Sequence, residues 1–241
     1  MGNADLVSDE RIPRTYRLVM AVSTPVVRWW GRLDVDGEDL IPASGPTILM
    51  VNHDSGWDPI VVGVAVRHRQ IRALAKSSLW NSKPMAWVLD RMGQIPIDRG
   101  RGDREALAAA IEHLVHGQCI GIFPEGTVSR GRQMRFLSGA GRLALSTPET
   151  RVLGVSVVGA VDIVRFPRRP RIRVEIFEPA GGQPGTAESA IALTRRVMTE
   201  VRTRAPSALP GRATKQAQFR LIVEEQSDPR GDADRGDRGE R

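Results

Sequence analysis

The sequence predicts an α/β protein, a single domain whose mostly parallel central sheet is flanked by helices. Three observations carry this expectation. Apolar runs at 47–51 (TILMV) and 118–123 (QCIGIF) have the length of buried strands, too short for helices. They alternate with segments of helical spacing, above all the alanine-rich stretch 103–116. The turns between them fall at Gly, Pro and Asp, so strand and helix follow one another as crossover connections require, with antiparallel additions allowed. At 241 residues and 41% hydrophobic content the chain can bury a core of its own.

Taken in order, residues 1–34 form an N-terminal segment outside the domain. Its apolar part, 17–33 (RLVMAVSTPVVRWWGRL), is interrupted by Ser, Thr, Pro and Arg. It falls short of the about 20 apolar residues that a spanning helix needs. Acidic residues ahead of it and the lack of a small-residue cleavage site after it speak against a signal peptide. Val26, Val27, Trp29 and Trp30 beside Arg28 and Arg32 leave two readings open. One is an interfacial helix with indoles at headgroup depth and guanidiniums on phosphates; the other is an amphipathic helix packed on the domain's own core.

The domain is expected over 35–205. Residues 33–40 are turn-rich, and 41–46 lead as a loop into the strand 47–51. A helix follows over 59–68, with Pro59 at its first position and Asp58 as its N-cap. Strand 71–75, helix 84–92 with Trp87 and Leu89 facing inward, and strand 94–98 come next. Helix 103–116 is stopped by Gly117 and followed by strand 118–123. A helix over 139–146, strands over 152–158 and 172–177, and a helix over 187–204 complete the set. Residues 206–241 are a polar tail whose last part, DPRGDADRGDRGER, has no large apolar residue and is expected to be disordered.

Composition narrows the partners. A net charge of +7 and a pI near 10.7 point to something anionic, whether a phospholipid surface, a phosphorylated substrate or a nucleic acid. The single cysteine, Cys119, excludes an intramolecular disulfide, supplies no metal-site spacing and fits a reducing cytoplasmic setting.

The stretch 52–59, NHDSGWDP, offers an imidazole and a carboxylate five positions apart. That gap passes well beyond one helical turn, so His53 and Asp58 can meet only across a turn, which Gly56 would tighten. A carboxylate at a helix start is favoured in its ionised form. Two readings are open: the pair ties down a loop, or Asp58 orients His53 as a general base. Ser55 is no evident nucleophile, because the glycine elbow that exposes a catalytic serine is not written here. A base in this setting would act on a substrate hydroxyl directly.

Four blocks then recur in one order: NHDSGWDP at 52–59, GQIPIDRG at 93–100, FPEGTVSRG at 123–131 and VLGVSVVGA at 152–160. Together they resemble the glycerophospholipid acyltransferase family, which includes the 1-acylglycerol-3-phosphate acyltransferases, over roughly residues 35–180. The resemblance implies an O-acyltransferase of phospholipid biosynthesis. Its acyl donor would be acyl-CoA or acyl carrier protein, and its acceptor lysophosphatidic acid or a related lysolipid. His53 and Asp58 become the catalytic base and its orienter, without an acyl-enzyme. Arg99 is implied to hold the acceptor phosphate, a task suited to a guanidinium. Glu125 orders the substrate, with Gly126 and Thr127 beside it, and their N–H groups are candidates for an oxyanion site. Where the family usually has Arg after the EGT triplet this chain has Val128, leaving Arg130 as the nearest substitute and loosening the acceptor toward another lysophospholipid or a glycolipid.

The same resemblance implies no metal and no bound cofactor, peripheral contact with an anionic membrane at its cytoplasmic face, and no nucleic acid. Leu79, Trp80, Trp87 and Leu89 are candidates for an acyl-chain groove or for plain core. Two readings of other classes stand beside it. One is a metal-dependent phosphohydrolase built on His53, Asp54 and Asp58, which needs further ligands from distant segments. The other is a non-catalytic basic module using the Arg-rich stretch 165–173, although the signature of an RNA-recognition sheet is missing.

Overall fold

The structure is a computed structural model describing residues 12–98, 104–147, 149–167, 169–185 and 187–209. Most of the polar tail and Arg99 lie outside the described residues.

Among the described residues the strands are β1 (Asp34–Asp36), β2 (Thr47–Val51), β3 (Ile71–Lys76), β4 (Ile95–Ile97), β5 (Cys119–Ile122), β6 (Arg151–Val158) and β7 (Arg173–Phe177). The α-helices among them are α1 (Arg14–Thr24), α2 (Asp58–Ala65), α3 (Lys83–Arg91), α4 (Arg104–Val115), α5 (Gly139–Ser146) and α6 (Ala190–Arg204). The strands form one sheet in the order β1-β7-β6-β2-β5-β3-β4. Its body, β6 to β4, is parallel. β7 reverses against β6, and β1 runs parallel to β7. The sheet is thus mostly parallel with an antiparallel addition at one edge, as the sequence predicts.

Strand β2 lies in the middle of the sheet, and all five of its residues are buried. Leu49 and Val51 face one core layer, shared with α2, while Ile48 and Met50 face another, shared with α4, α5 and α6. Apolar residues on both sides of one strand are what a parallel sheet covered on both faces demands.

The N-terminal segment combines features of both expected readings. Val27 is fully buried in the core and Tyr16 packs inward, so the segment is docked on the domain. Gly63 of α2 makes this possible: a Cβ there would stand 2.7 Å from the sulfur of Met20. Arg28 and Arg32, expected on lipid phosphates, donate instead to the protein carbonyls of Val64, Pro170 and Arg169. Val22 and Trp29 remain exposed. No helix among the described residues is long and apolar enough to cross a membrane.

Trp87, expected inward, is 53% exposed with the Arg91 guanidinium 4.4 Å from its ring centre. Trp80 directs its indole N–H to Asp90 at 2.6 Å. Leu79 and Leu89 do line a cavity, described below.

Candidate active site

The site is assembled at the C-terminal ends of β2 and β5, where open parallel sheets present their loops. The chain leaves β2 through Asn52, His53 and Asp54, turns, and enters α2 at Asp58. It leaves β5 through Phe123, Pro124 and Glu125.

His53 and Asp58 meet. Nδ1 of His53 lies 3.1 Å from Oδ2 of Asp58, and both side chains are buried. The same oxygen accepts the backbone N–H groups of Asp54 and Ser55, each at 2.8 Å. An oxygen already accepting two N–H bonds is best matched by a third donor, so Nδ1 is the ring nitrogen placed to donate to Asp58. Asp58 is therefore not the N-cap. It is the first residue of α2 behind Trp57, with Pro59 second, and its carboxylate turns back into the loop. Burial pushes its pKa up, against the bonds from His53 and Ser55 that pull it down. The expectation of a favoured ionised form counted the helix end and omitted this desolvation. Gly56 has no positive φ, and a side chain there would meet nothing.

The Phe123 ring packs on the imidazole with centroids 4.5 Å apart. Below them opens a cavity of about 510 Å³ lined by His53, Phe123 and apolar groups of α1, α2, α3 and β3, among them Met20, Val62 and Leu89, with Leu79 of the short 3-10 helix Ser77–Asn81 between β3 and α3. Leu74 and Phe123 also border a second cavity of about 440 Å³, whose wall includes Gly126, Leu137, Arg104 and Arg142.

Glu125 is buried, and both of its oxygens are taken by Arg202, from Nε and Nη2 at 2.6 Å. Burial pushes its pKa up to about 7 while the Arg202 charge pulls it down. With both oxygens held by Arg202, Glu125 ties its loop to α6. Gly126 sits at φ +70 and its N–H closes a turn onto the Phe123 carbonyl at 3.0 Å, which removes it as an oxyanion donor. Thr127 and Arg130 are exposed on the same loop.

Sequence reasoning missed the rest of this cluster. Arg202 also donates to both oxygens of Asp54, at 2.8 and 3.1 Å. Desolvation lowers its pKa, and the two carboxylates outweigh it and hold it above the ordinary value. Ser129 donates through Oγ to Asp54 and through its backbone N–H to the His53 carbonyl at 2.7 Å. Asn52 donates to Asp54 at 3.1 Å and bridges to Val157 of β6. One signal was present: Thr194, Met198 and Arg202 are spaced by four on the buried face of α6, and a cation on that face needs buried partners. The described residues contain no group of three or more His, Cys, Asp or Glu side chains that could hold a metal ion.

A buried imidazole held by a buried carboxylate, with the ring in the wall of an apolar cavity at the C-terminal ends of a parallel sheet, points to a class of protein, and comparison agrees. The acyltransferase family model matches residues 32–161, so the chain belongs to the acyltransferase family. The chain is 37% identical over 130 residues to a 1-acyl-sn-glycerol-3-phosphate acyltransferase of Borreliella burgdorferi, covering 52% of this chain and 51% of that protein. It is 31% identical over 148 residues to a lyso-ornithine lipid O-acyltransferase of Pseudomonas aeruginosa, covering 56% and 55%. It thus spans about half the length of the curated relatives it matches. The crystal structure of the 1-acyl-sn-glycerophosphate acyltransferase PlsC from Thermotoga maritima superposes with a TM-score of 0.65 at 25% identity, over 83% of this chain and 81% of that one.

Proposed function

We propose that this protein moves a fatty acyl group from acyl-CoA or acyl carrier protein to the hydroxyl of lysophosphatidic acid or a related lysolipid. The observation that carries this reading is the His53–Asp58 contact of 3.1 Å at the wall of an apolar cavity. Nε2 takes the proton of the acceptor hydroxyl as its oxygen attacks the thioester carbonyl. Collapse of the tetrahedral intermediate expels the thiolate, and the imidazolium returns a proton to it. The charge that develops on the ring is stabilised by Asp58, and no acyl-enzyme forms.

The acyl chain lies in the apolar cavity, which is lined largely by aliphatic groups. The headgroup lies on the other side of Phe123, where Arg104 and Arg142 supply positive charge beside Gly126. Arg99, five residues before Arg104, acts with them on the acceptor phosphate. Val128 in place of the family's Arg, together with a relative named for a lyso-ornithine lipid, keeps a zwitterionic acceptor in view.

The protein works on a membrane surface, at the cytoplasmic leaflet. Trp29 is 71% and Phe166 83% exposed, Trp30 stacks on Phe166 with centroids 5.8 Å apart, and Arg169 lies over both indoles. Aromatic rings ringed by guanidinium groups suit the headgroup layer of an anionic bilayer.

One experiment tests the reading. Purified protein is given labelled acyl-CoA and a panel of lysolipids in anionic and neutral vesicles. Acyl transfer to at least one lysophospholipid, faster on anionic vesicles and abolished by His53→Ala, is expected. No labelled product with any acceptor, from acyl-CoA or from acyl carrier protein, would sink it.

A further inference from the structure

Arg202 is 3% exposed in the last turn of α6, beyond the segment that carries the family's motifs. A guanidinium has five N–H donors, and here all five have acceptors within the protein. Nε meets Glu125; Nη1 meets Asp54 and, at 3.1 Å, the Ala205 carbonyl; Nη2 meets Asp54 and Glu125. None is left for a substrate.

We propose that Arg202 is a positioning residue for the reaction: by gripping Asp54 and Glu125 together it locks the loop of His53 and Asp58 onto the FPEGT loop, and so makes α6 part of the active site. The proposal rests on the acyl-transfer reading above for its rate consequences, and on geometry alone for the rest.

The path from Arg202 to the base is short. Asp54, held by Arg202 through its carboxylate, donates its backbone N–H to Oδ2 of Asp58 at 2.8 Å, the same oxygen that faces Nδ1 of His53. A shift of Asp54 therefore moves the donor that fixes Asp58, and with it the direction of the imidazole. Ser129 adds a second link, from Asp54 to the His53 carbonyl. On the other arm, Glu125 lies inside the turn that the Gly126 N–H closes onto Phe123, so its position bears on Gly126 in the wall of the second cavity. The loop has Val128 directly after EGT and an exposed Arg130, so its internal cation comes from α6.

Stability alone is a poor reason for such a cluster. Two carboxylates and a guanidinium lose much of their hydration when buried, and well-packed apolar groups in their place are often as stable or more so. What apolar groups cannot do is hold two loops at fixed distances by a rigid, forked set of bonds. Lysine cannot either, since its ammonium is a single point with no fork.

The test uses the full chain with Arg202→Lys and Arg202→Met, read by acyl transfer from acyl-CoA to lysophosphatidic acid, by thermal melting, and by the nitrogen NMR spectrum of the His53 ring. Arg202→Lys is expected to melt close to the wild type with kcat lowered about 10- to 100-fold and KM for both substrates changed by less than about threefold. Its His53 Nδ1–H resonance should shift. Adding Glu125→Gln should cost little more, since the two act as one unit. Wild-type kcat in a folded Arg202→Lys protein, or a loss confined to KM, would overturn the proposal. If Arg202→Met does not fold, the lysine variant decides. If the wild type transfers no acyl group to any lysolipid, the proposed function fails separately. The NMR comparison then reads the clamp by itself: an unmoved His53 resonance refutes it and a moved one upholds it.

Discussion

Arg69 and Arg202 are each 3% exposed, and they sit at opposite ends of the same two strands. At the N-terminal ends of β2 and β5, Arg69 donates to the carbonyls of Pro42, Gly45 and Gly117 and to the Thr47 hydroxyl. At the C-terminal ends, Arg202 donates to the carboxylates of Asp54 and Glu125. One cation meets dipoles and the other meets charges. Carbonyls and a hydroxyl do not titrate near neutrality, so the first arrangement only holds three loops in place. Carboxylates do titrate, their burial is costly, and they lie beside an imidazole. The same residue type is a clip between loops at one end of the sheet and, as proposed above, a clamp beneath the catalytic loops at the other.

The largest effect that should separate the two ends is on turnover. His53→Ala should lower kcat by about 10²- to 10⁴-fold, the usual worth of a placed general base, while the melting temperature stays near that of the wild type. A steady-state assay beside a thermal melt checks it. Arg69→Met should do the reverse. Four acceptors lose their donor, and the fold should weaken by about 3 kcal/mol in a denaturant titration, with kcat per folded molecule unchanged. Full stability in Arg69→Met would erase the contrast.

The next difference is in pH. The Glu125 pKa stands near 7 in the folded protein against an ordinary 4.5, so the folded state holds this proton more tightly. Its contribution to stability is complete below the ordinary value and is lost as pH rises through about 7, at up to about 1.4 kcal/mol per pH unit. Asp58, also raised by burial, acts in the same direction. Denaturant midpoints should therefore fall between about pH 5 and pH 7.5, and Glu125→Gln should remove part of that slope. Arg69→Met should leave the slope as it is.

The smallest effect compares two glycines. Gly45 beside Arg69 and Gly126 after Glu125 both have positive φ, at +92 and +70. Alanine at either should cost about 1 kcal/mol of left-handed strain. A Cβ on Gly45 meets nothing, whereas one on Gly126 comes within 2.8 Å of Leu137 in the wall of the second cavity. Only Gly126→Ala should slow the reaction, by a few-fold, in the same assay.

Much of the fold was legible because local pattern and long-range packing agree there. Strand β2 and helix α5 have the boundaries that the sequence predicts, and the meeting of His53 and Asp58 across a turn was legible from their spacing and the strand and helix on either side. Strand β1 lies in a stretch whose sequence reads only as turn-rich and alternating. Its three residues alternate Asp, Val, Asp, and they become a strand only by pairing with residues 173–175. Trp87 has helical spacing, which identifies a face without saying whether that face meets the core or the solvent. Arg202 was illegible for a similar reason: its partners lie 148 and 77 residues away, and α6 carries three other arginines in Arg195, Arg196 and Arg204. What a side chain touches across the sheet is not written in its neighbours along the chain.

The late position of α6 has a consequence for synthesis. As the chain emerges from the ribosome, β2, β5 and β6 can begin to associate while Arg202 is still unmade, and two acids then converge with no cation between them. Until α6 is made, that end of the sheet has reason to stay hydrated and loose. The nascent protein would close this mouth only after its core strands have met.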